Sequence, residues 1–188
     1  MEIKSSQFTK GIRGTDEILT DERPQIAFIG RSNVGKSSLI NTLTGIKGLA
    51  KVGKKPGKTT EINYFLTNHS FFIVDLPGYG YAQTSAKEKE KLKNLIIWYF
   101  TYSEAKPQKV VLVLDSKAGL MPFDEQMIAV LKEQKHPFLI VVNKIDKLTQ
   151  KELSGLVAKI TDISGTNVMT SSTKTKKGID ILRDTLFS

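Results

Sequence analysis

Gly30-Arg31-Ser32-Asn33-Val34-Gly35-Lys36-Ser37 directly follows the apolar run Ile26-Ala27-Phe28-Ile29 and leads into Ser38-Leu39-Ile40-Asn41-Thr42-Leu43, which has helical spacing. The octapeptide reads G-x-x-x-x-G-K-[ST], and a strand before it and a helix behind it form the setting a phosphate-binding loop needs. Glycines let the chain curl until successive N–H groups point inward, and the start of the helix adds partial positive charge. The N–H groups from Asn33 to Ser38 are therefore expected to cradle the phosphates of a nucleoside triphosphate. Lys36 would reach the β- and γ-oxygens, and the Ser37 hydroxyl would ligate Mg²⁺.

Working outward, Asp75-Leu76-Pro77-Gly78 closes the apolar run Phe71-Phe72-Ile73-Val74. A carboxylate at that strand end can hold the hydration shell of the metal, and Gly78 lets its backbone N–H come close to the γ-phosphate. Asn143-Lys144-Ile145-Asp146 stands after Phe138-Leu139-Ile140-Val141-Val142 in the same way. Guanine offers N1–H and a 2-amino group side by side, and one carboxylate, Asp146, accepts both. Adenine lacks those donors, and a site built like this rejects such an analogue by ~10⁴–10⁵-fold. Asn143 can bond the N7 edge and tie loops together, while the Lys144 stem covers a face of the base or ribose. Ser171-Ser172-Thr173, after Val168-Met169-Thr170, admits two readings. Its small residues let N–H groups approach the guanine O6, and they also suit the start of the last helix.

The remainder of the chain bounds these assignments. At 188 residues it suits one domain, and with no cysteine it excludes disulfides and thiolate chemistry. Its first twenty residues show no signal-peptide pattern, and its longest apolar runs, about five residues, fall far short of the ~18 that span a bilayer. A soluble, cytoplasmic, monomeric protein with no membrane partner is expected. A net charge of +9 favours a polyanionic partner through counterion release, although a solvated lysine-rich surface would give the same excess. Lys47, Lys51, Lys54, Lys55 and Lys58 fall together without an acid between them.

Apolar runs alternate with helical patterns, which predicts an α/β three-layer sandwich with a mixed, mostly parallel six-stranded sheet. The strands are expected near 25–29, 61–67, 70–75, 109–115, 137–142 and 166–170. Helices are expected near 36–44, 86–103, 123–135, 149–163 and 178–187. Only Asn68-His69 separates 61–67 from 70–75, so that pair should be an antiparallel hairpin. Residues 1–24 read as an N-terminal extension, with an edge strand around 2–9, ahead of a nucleotide-binding domain at 25–188. The structureless stretches 45–60 and 76–85 are long enough to carry function. Trp98, within Leu95-Ile96-Ile97-Trp98-Tyr99-Phe100, suits either the core side of a helix or a nucleic-acid stacking position.

In this order the motifs resemble a GTPase of the Ras-like P-loop class. Gly30 to Asn41, then Lys55-Pro56-Gly57-Lys58-Thr59, then Asp75-Leu76-Pro77-Gly78-Tyr79-Gly80-Tyr81-Ala82, are similar to the EngB (also YihA or YsxC) family of bacterial ribosome-assembly GTPases. The resemblance covers about residues 5–187. It implies that Pro56, Gly57, Lys58 and Thr59 form a nucleotide-sensing loop, with Thr59 joining Ser37 and Asp75 at the metal when GTP is bound. Thr60 competes for that task on composition, and the family pattern favours Thr59. It also implies GTP hydrolysis with Lys36, Thr59, Gly78 and Asn33 as the catalytic set, K⁺ as a candidate helper at Asn33, and the large ribosomal subunit or its precursor, rRNA and proteins, as partner. Family members often begin the base motif with Thr; this chain has Asn143. Tyr79 stands where many GTPases carry a water-orienting Gln, so slow intrinsic hydrolysis that needs an outside contribution is expected. A nucleotide-gated binding module with incidental hydrolysis and a P-loop small-molecule kinase are the competing readings.

Overall fold

A computed structural model describes residues 2–51, 60–80 and 85–187. The elements are β1 (Ser6–Ile12), β2 (Gln25–Gly30), α1 (Lys36–Thr44), β3 (Ile62–Thr67), β4 (Phe71–Asp75), α2 (Ala86–Thr101), β5 (Lys109–Asp115), α3 (Pro122–Glu133), β6 (Phe138–Asn143), α4 (Gln150–Ser164), β7 (Val168–Thr170) and α5 (Ile179–Phe187). Short 3₁₀ turns at Glu17–Thr20 and Ile145–Lys147 were not expected from the sequence.

All seven strands join one sheet in the order β1-β3-β4-β2-β5-β6-β7. The pairs β1·β3 and β3·β4 are antiparallel, and the other pairs are parallel. The expected six strands become seven because the N-terminal extension supplies the outer strand, pairing Ser6 with Thr67 through to Ile12 with Ile62. That edge strand lies later than 2–9 and carries a register break between Phe8 and Lys10. Such a bulge, together with a lysine, suits an edge that must resist further pairing. Asn68 and His69 both take left-handed backbone, at φ 48° and 55°, and Ser70 N–H closes onto the Thr67 carbonyl at 3.0 Å. This is the two-residue turn that matches strand twist.

Alternation along the central strands divides the core into two layers. Ala27, Ile29, Leu112, Leu114, Ile140 and Val142 face one side with α2, α3 and α4 residues such as Ile96, Met127 and Ile160. Ile26, Phe28, Val111, Val113, Leu139 and Val141 face the other with Leu39, Ile40, Leu182 and Leu186 of α1 and α5. Both faces are covered, so these strands read as unbroken apolar runs. The order reverses at β2, which pairs with β4 on one side and β5 on the other. A crevice opens outside the carboxyl end of a strand at such a switch point.

Helix starts follow local chemistry. Ser85 and Thr149 accept from the N–H groups of Glu88 and Glu152, whose carboxylates return bonds to the caps. Pro122 opens α3, where a missing N–H costs nothing. Leu112 is fully buried at the centre of the sheet, and Leu112→Ala is expected to cost about 2–5 kcal/mol in urea unfolding; a loss below about 1 kcal/mol would contradict this placement of the core.

Candidate nucleotide site

The loop 30–35 leaves the end of β2 at the switch point and enters α1 at Lys36. Gly35 takes φ 93°, and a Cβ there would come within 2.5 Å of the Asn143 Nδ2. Glycine is therefore required twice over, by conformation and by space. No side chain caps α1, so its first N–H groups, lacking carbonyls one turn back, are left facing outward at its positive end. Asn33 is exposed with left-handed backbone, φ 68°, a conformation Asn tolerates better than most residues.

Lys36 is buried, and its ammonium donates to the Asp75 carboxylate and, at 2.6 Å, to the Leu76 carbonyl. Ser37 stands one residue on in the first turn of α1. Asp75, also buried, ends β4. An ammonium and a carboxylate are thus held together in a buried setting, with Ser37 next to Lys36 in the chain. These hard oxygen donors suit Mg²⁺, which takes one or two protein ligands and completes its shell with phosphate and water. Among the described residues, no group of three or more His, Cys, Asp or Glu side chains that could hold a metal ion occurs.

Asn143 is wholly buried at the end of β6. Its Nδ2 donates to the Val34 carbonyl at 2.9 Å, and its Oδ1 accepts from the Ser171 hydroxyl at 3.2 Å. One carboxamide therefore straps the phosphate loop to the loop after β7. Lys144, at φ 63°, donates its ammonium to the Asn33 carbonyl and to Asp115 at 2.8 Å. Its extended stem thereby bridges two loops, and a space of about 400 Å³ opens beside Arg31 to Val34, Asp115, Lys117 and Lys144. Asp146 is exposed and accepts from the Ser172 hydroxyl at 2.6 Å. That bond, with smaller help from Lys174 and Lys147, holds its carboxyl below the ordinary carboxylate value. It is ionised at neutral pH, as an acceptor of two guanine donors must be. Ser171 and Ser172 are buried and Thr173 is half-buried.

The loop beyond Asp75 is less free than its length implies. Leu76 N–H bonds the Phe28 carbonyl at 3.1 Å, Ser32 N–H bonds the Tyr79 carbonyl at 2.7 Å, and Ser32 Oγ donates to the Gly78 carbonyl at 3.1 Å. A Cβ on Gly78 would meet the Ser32 backbone at 3.1 Å. Tyr79, only 1% exposed, turns inward, stacks edge-on against Phe123 at 4.5 Å and donates its hydroxyl to Asp124. Burial, then the Asp124 charge, drives its phenol well above 10, so it remains a donor. The expectation of a structureless segment is corrected for residues 76–80: their contacts to β2, the phosphate loop and α3 hold them. Similarly, Asn41 grips Ala50 through both amide atoms, at 2.8 and 2.9 Å, which fastens the first part of 45–60. Pro56, Gly57, Lys58 and Thr59 lie outside the described residues.

Three participants escape the sequence reading. Asp115 and Asp124 each had a signal, an acid at a strand end and an acid three residues into a Pro-started helix. Asn41, a poor helix former inside α1, had one too.

Fold and loops define a P-loop GTPase. The 50S ribosome-binding GTPase family matches residues 25–144. A probable GTP-binding protein EngB of Pelodictyon phaeoclathratiforme is 47% identical over 152 residues, covering 81% of this chain and 78% of that protein. Its counterpart in Clostridium perfringens is 40% identical over 191 positions, covering 100% and 96%. The crystal structure of a probable GTP-binding protein EngB matches with a TM-score of 0.75 at 28% identity, covering 87% of this chain and 96% of that one. This chain belongs to the EngB family of GTP-binding GTPases.

Asp124 yields a pH test. Burial lifts its carboxyl above the ordinary 3.8 despite the Tyr79 and Met121 bonds. The folded state therefore binds the proton more tightly than the unfolded chain does. Its stabilising contribution is full below 3.8 and is lost as pH rises through the raised value. The unfolding free energy of the wild type minus that of Asp124→Asn should therefore fall from acid to neutral pH; a flat difference would contradict this account of the buried carboxyl.

Proposed function

We propose that this GTPase is a slow nucleotide switch in assembly of the large ribosomal subunit, working in the cytoplasm as a monomer. The observation that carries the switch is the inward anchoring of Tyr79. Its ring is buried and its hydroxyl is spent on Asp124, so the residue after Gly78 has no free group to orient an attacking water. Hydrolysis then rests on positioning and charge, and its full rate needs an outside contribution.

In this reading residues 25–188 form the nucleotide-binding domain, and 1–24 an extension that shares its sheet. Asn33 to Ser38 cradle the phosphates, with Gly30 to Ser32 shaping the loop. Lys36 moves from Asp75 to the β- and γ-oxygens. Asp75, Ser37 and Thr59 would be the residues that hold Mg²⁺ once Lys36 has left Asp75, and Pro56, Gly57 and Lys58 would belong to the same nucleotide-sensing segment. Bound Mg²⁺ supplies neutralisation of phosphate charge. Gly78 offers its N–H to the γ-phosphate, while Ser32, bonded to Gly78 and Tyr79, carries phosphate-loop position into the segment 76–80. Asn143, Lys144 and Asp146 hold guanine, with Ser171 to Thr173 along its O6 edge. Loss of the γ-phosphate releases the contacts of both loops.

The family description, 50S ribosome-binding, and the +9 charge support the partner. Co-sedimentation with ribosomal subunits tests it: binding to large-subunit particles should differ between GDP and a non-hydrolysable GTP analogue. Equal retention in both states, or none, would contradict a switch.

Two measurements test the site. Asp146→Asn should lower GTP affinity by at least about a hundredfold and raise relative affinity for xanthosine triphosphate, whose C2 oxygen accepts an amide donor; an unchanged GTP preference would contradict base reading by Asp146. Exposed Asn33 is the proposed K⁺-assisting residue, so replacing Na⁺ by K⁺ should raise kcat, and Asn33→Ala should abolish the difference. Identical rates in the two salts would remove K⁺ from the account.

A further inference from the structure

Helix α2 presents a stripe that the nucleotide site does not use. Lys91, Asn94, Leu95 and Trp98 recur at three- and four-residue steps, which places them on one face. With residues 13–15 they line an open groove of about 320 Å³. Trp98, the only tryptophan of the chain, packs against the main core yet is only half-buried and lines this groove. Tyr102, four residues on and bonded through its N–H to the Trp98 carbonyl at 2.9 Å, is 76% exposed.

The lining selects its ligand by chemistry. Arg13 and Lys91 supply positive charge, Asn94 supplies a carboxamide, and among the described residues no acidic side chain lines the groove. An aromatic face beside cations and an amide fits an unpaired base followed by its phosphate. A duplex keeps its base faces stacked inside and would present only its sugar-phosphate backbone and base edges. Arg13 already has partners: Thr60 Oγ1 at 2.8 Å and Glu61 at 3.2 Å. With Arg13 66% and Glu61 42% exposed, that ion pair is screened by water and easily exchanged for a phosphate. Because Thr60 adjoins the proposed metal-binding Thr59, the groove and the 45–60 loop draw on one guanidinium.

We propose that this groove binds single-stranded RNA, with an unpaired base stacked on Trp98 and its phosphate held by Arg13 and Lys91. The proposal rests on the ribosomal reading above and goes beyond it by naming the surface and the form of RNA recognised.

The lone tryptophan makes the test direct. Full-length protein is titrated with a fluorescently labelled single-stranded A-rich dodecamer and with the same strand in a duplex, following both Trp98 emission and the anisotropy of the label. The single strand should bind and quench Trp98, whereas the duplex should leave emission unchanged. The Lys91→Glu/Asn94→Ala double variant should weaken binding about tenfold or more, and Lys151→Glu on α4 should not. Binding without quenching, quenching by the duplex, no binding, or a double variant equal to wild type would each overturn the proposal. GTP hydrolysis by the double variant, which changes no residue of the nucleotide site, verifies that it is folded. Co-sedimentation separates the two levels: wild type and double variant pelleting equally with large-subunit particles overturns the groove alone, whereas wild type failing to pellet removes the ribosomal reading beneath it.

Discussion

The carboxamide of Asn143 is the interaction on which the nucleotide site depends. It lies at the end of β6, wholly buried, with its nitrogen on the Val34 carbonyl and its oxygen on the Ser171 hydroxyl. Phosphate loop, base-reading loop and the loop after β7 arise from three strands that are far apart in sequence, and this one side chain fixes their spacing. Its burial makes the strap effective, because an unpaired amide or carbonyl left there would cost about 1–3 kcal/mol. The same contact explains why Gly35 admits no side chain: a Cβ would stand 2.5 Å from the Asn143 nitrogen. Lys144 repeats the arrangement one residue later, joining the Asn33 carbonyl to Asp115.

The sheet makes this convergence possible. Parallel strands β2, β5 and β6 end at one edge, and β2 stands where the strand order reverses. Their apolar residues lock register on both faces, so the polar residues just past each strand end are placed to within the play of a short loop. A second linkage runs from the phosphate loop through Ser32 to the segment 76–80, and from Tyr79 to Asp124 at the start of α3. Hydrogen bonds thus connect the phosphate loop to the start of α3.

Much of this was legible in the sequence because it rests on local patterns. The apolar runs at 26–29, 110–114 and 138–142 and the helical spacing after Ser37 fixed the central elements to within a residue or two. Asn68-His69 fixed the hairpin through its turn geometry. The seventh strand was harder: Ser6–Ile12 is mostly exposed, so its apolar pattern is faint, and only pairing with β3 defines it. Partnerships were the least visible. Nothing local to Tyr79 shows that it points into the core to meet Asp124, 45 residues away, and nothing local to Arg13 shows that it meets Thr60. Such contacts are set by tertiary packing, which periodicity does not encode. The base-reading tetrapeptide was visible as chemistry, but the strap between Asn143, Val34 and Ser171 required three strands to be placed first.

The central claim is that one buried amide couples the phosphate and guanine ends of the site. Calorimetric titration of GDP into folded, Mg²⁺-supplied Asn143→Ala protein tests it most directly. Loss of both partners should weaken binding by about a hundredfold or more, some 3 kcal/mol, which exceeds the worth of one neutral hydrogen bond. Affinity within about threefold of the wild type, less than 1 kcal/mol, would show that the two ends hold their places without the strap and would contradict the account.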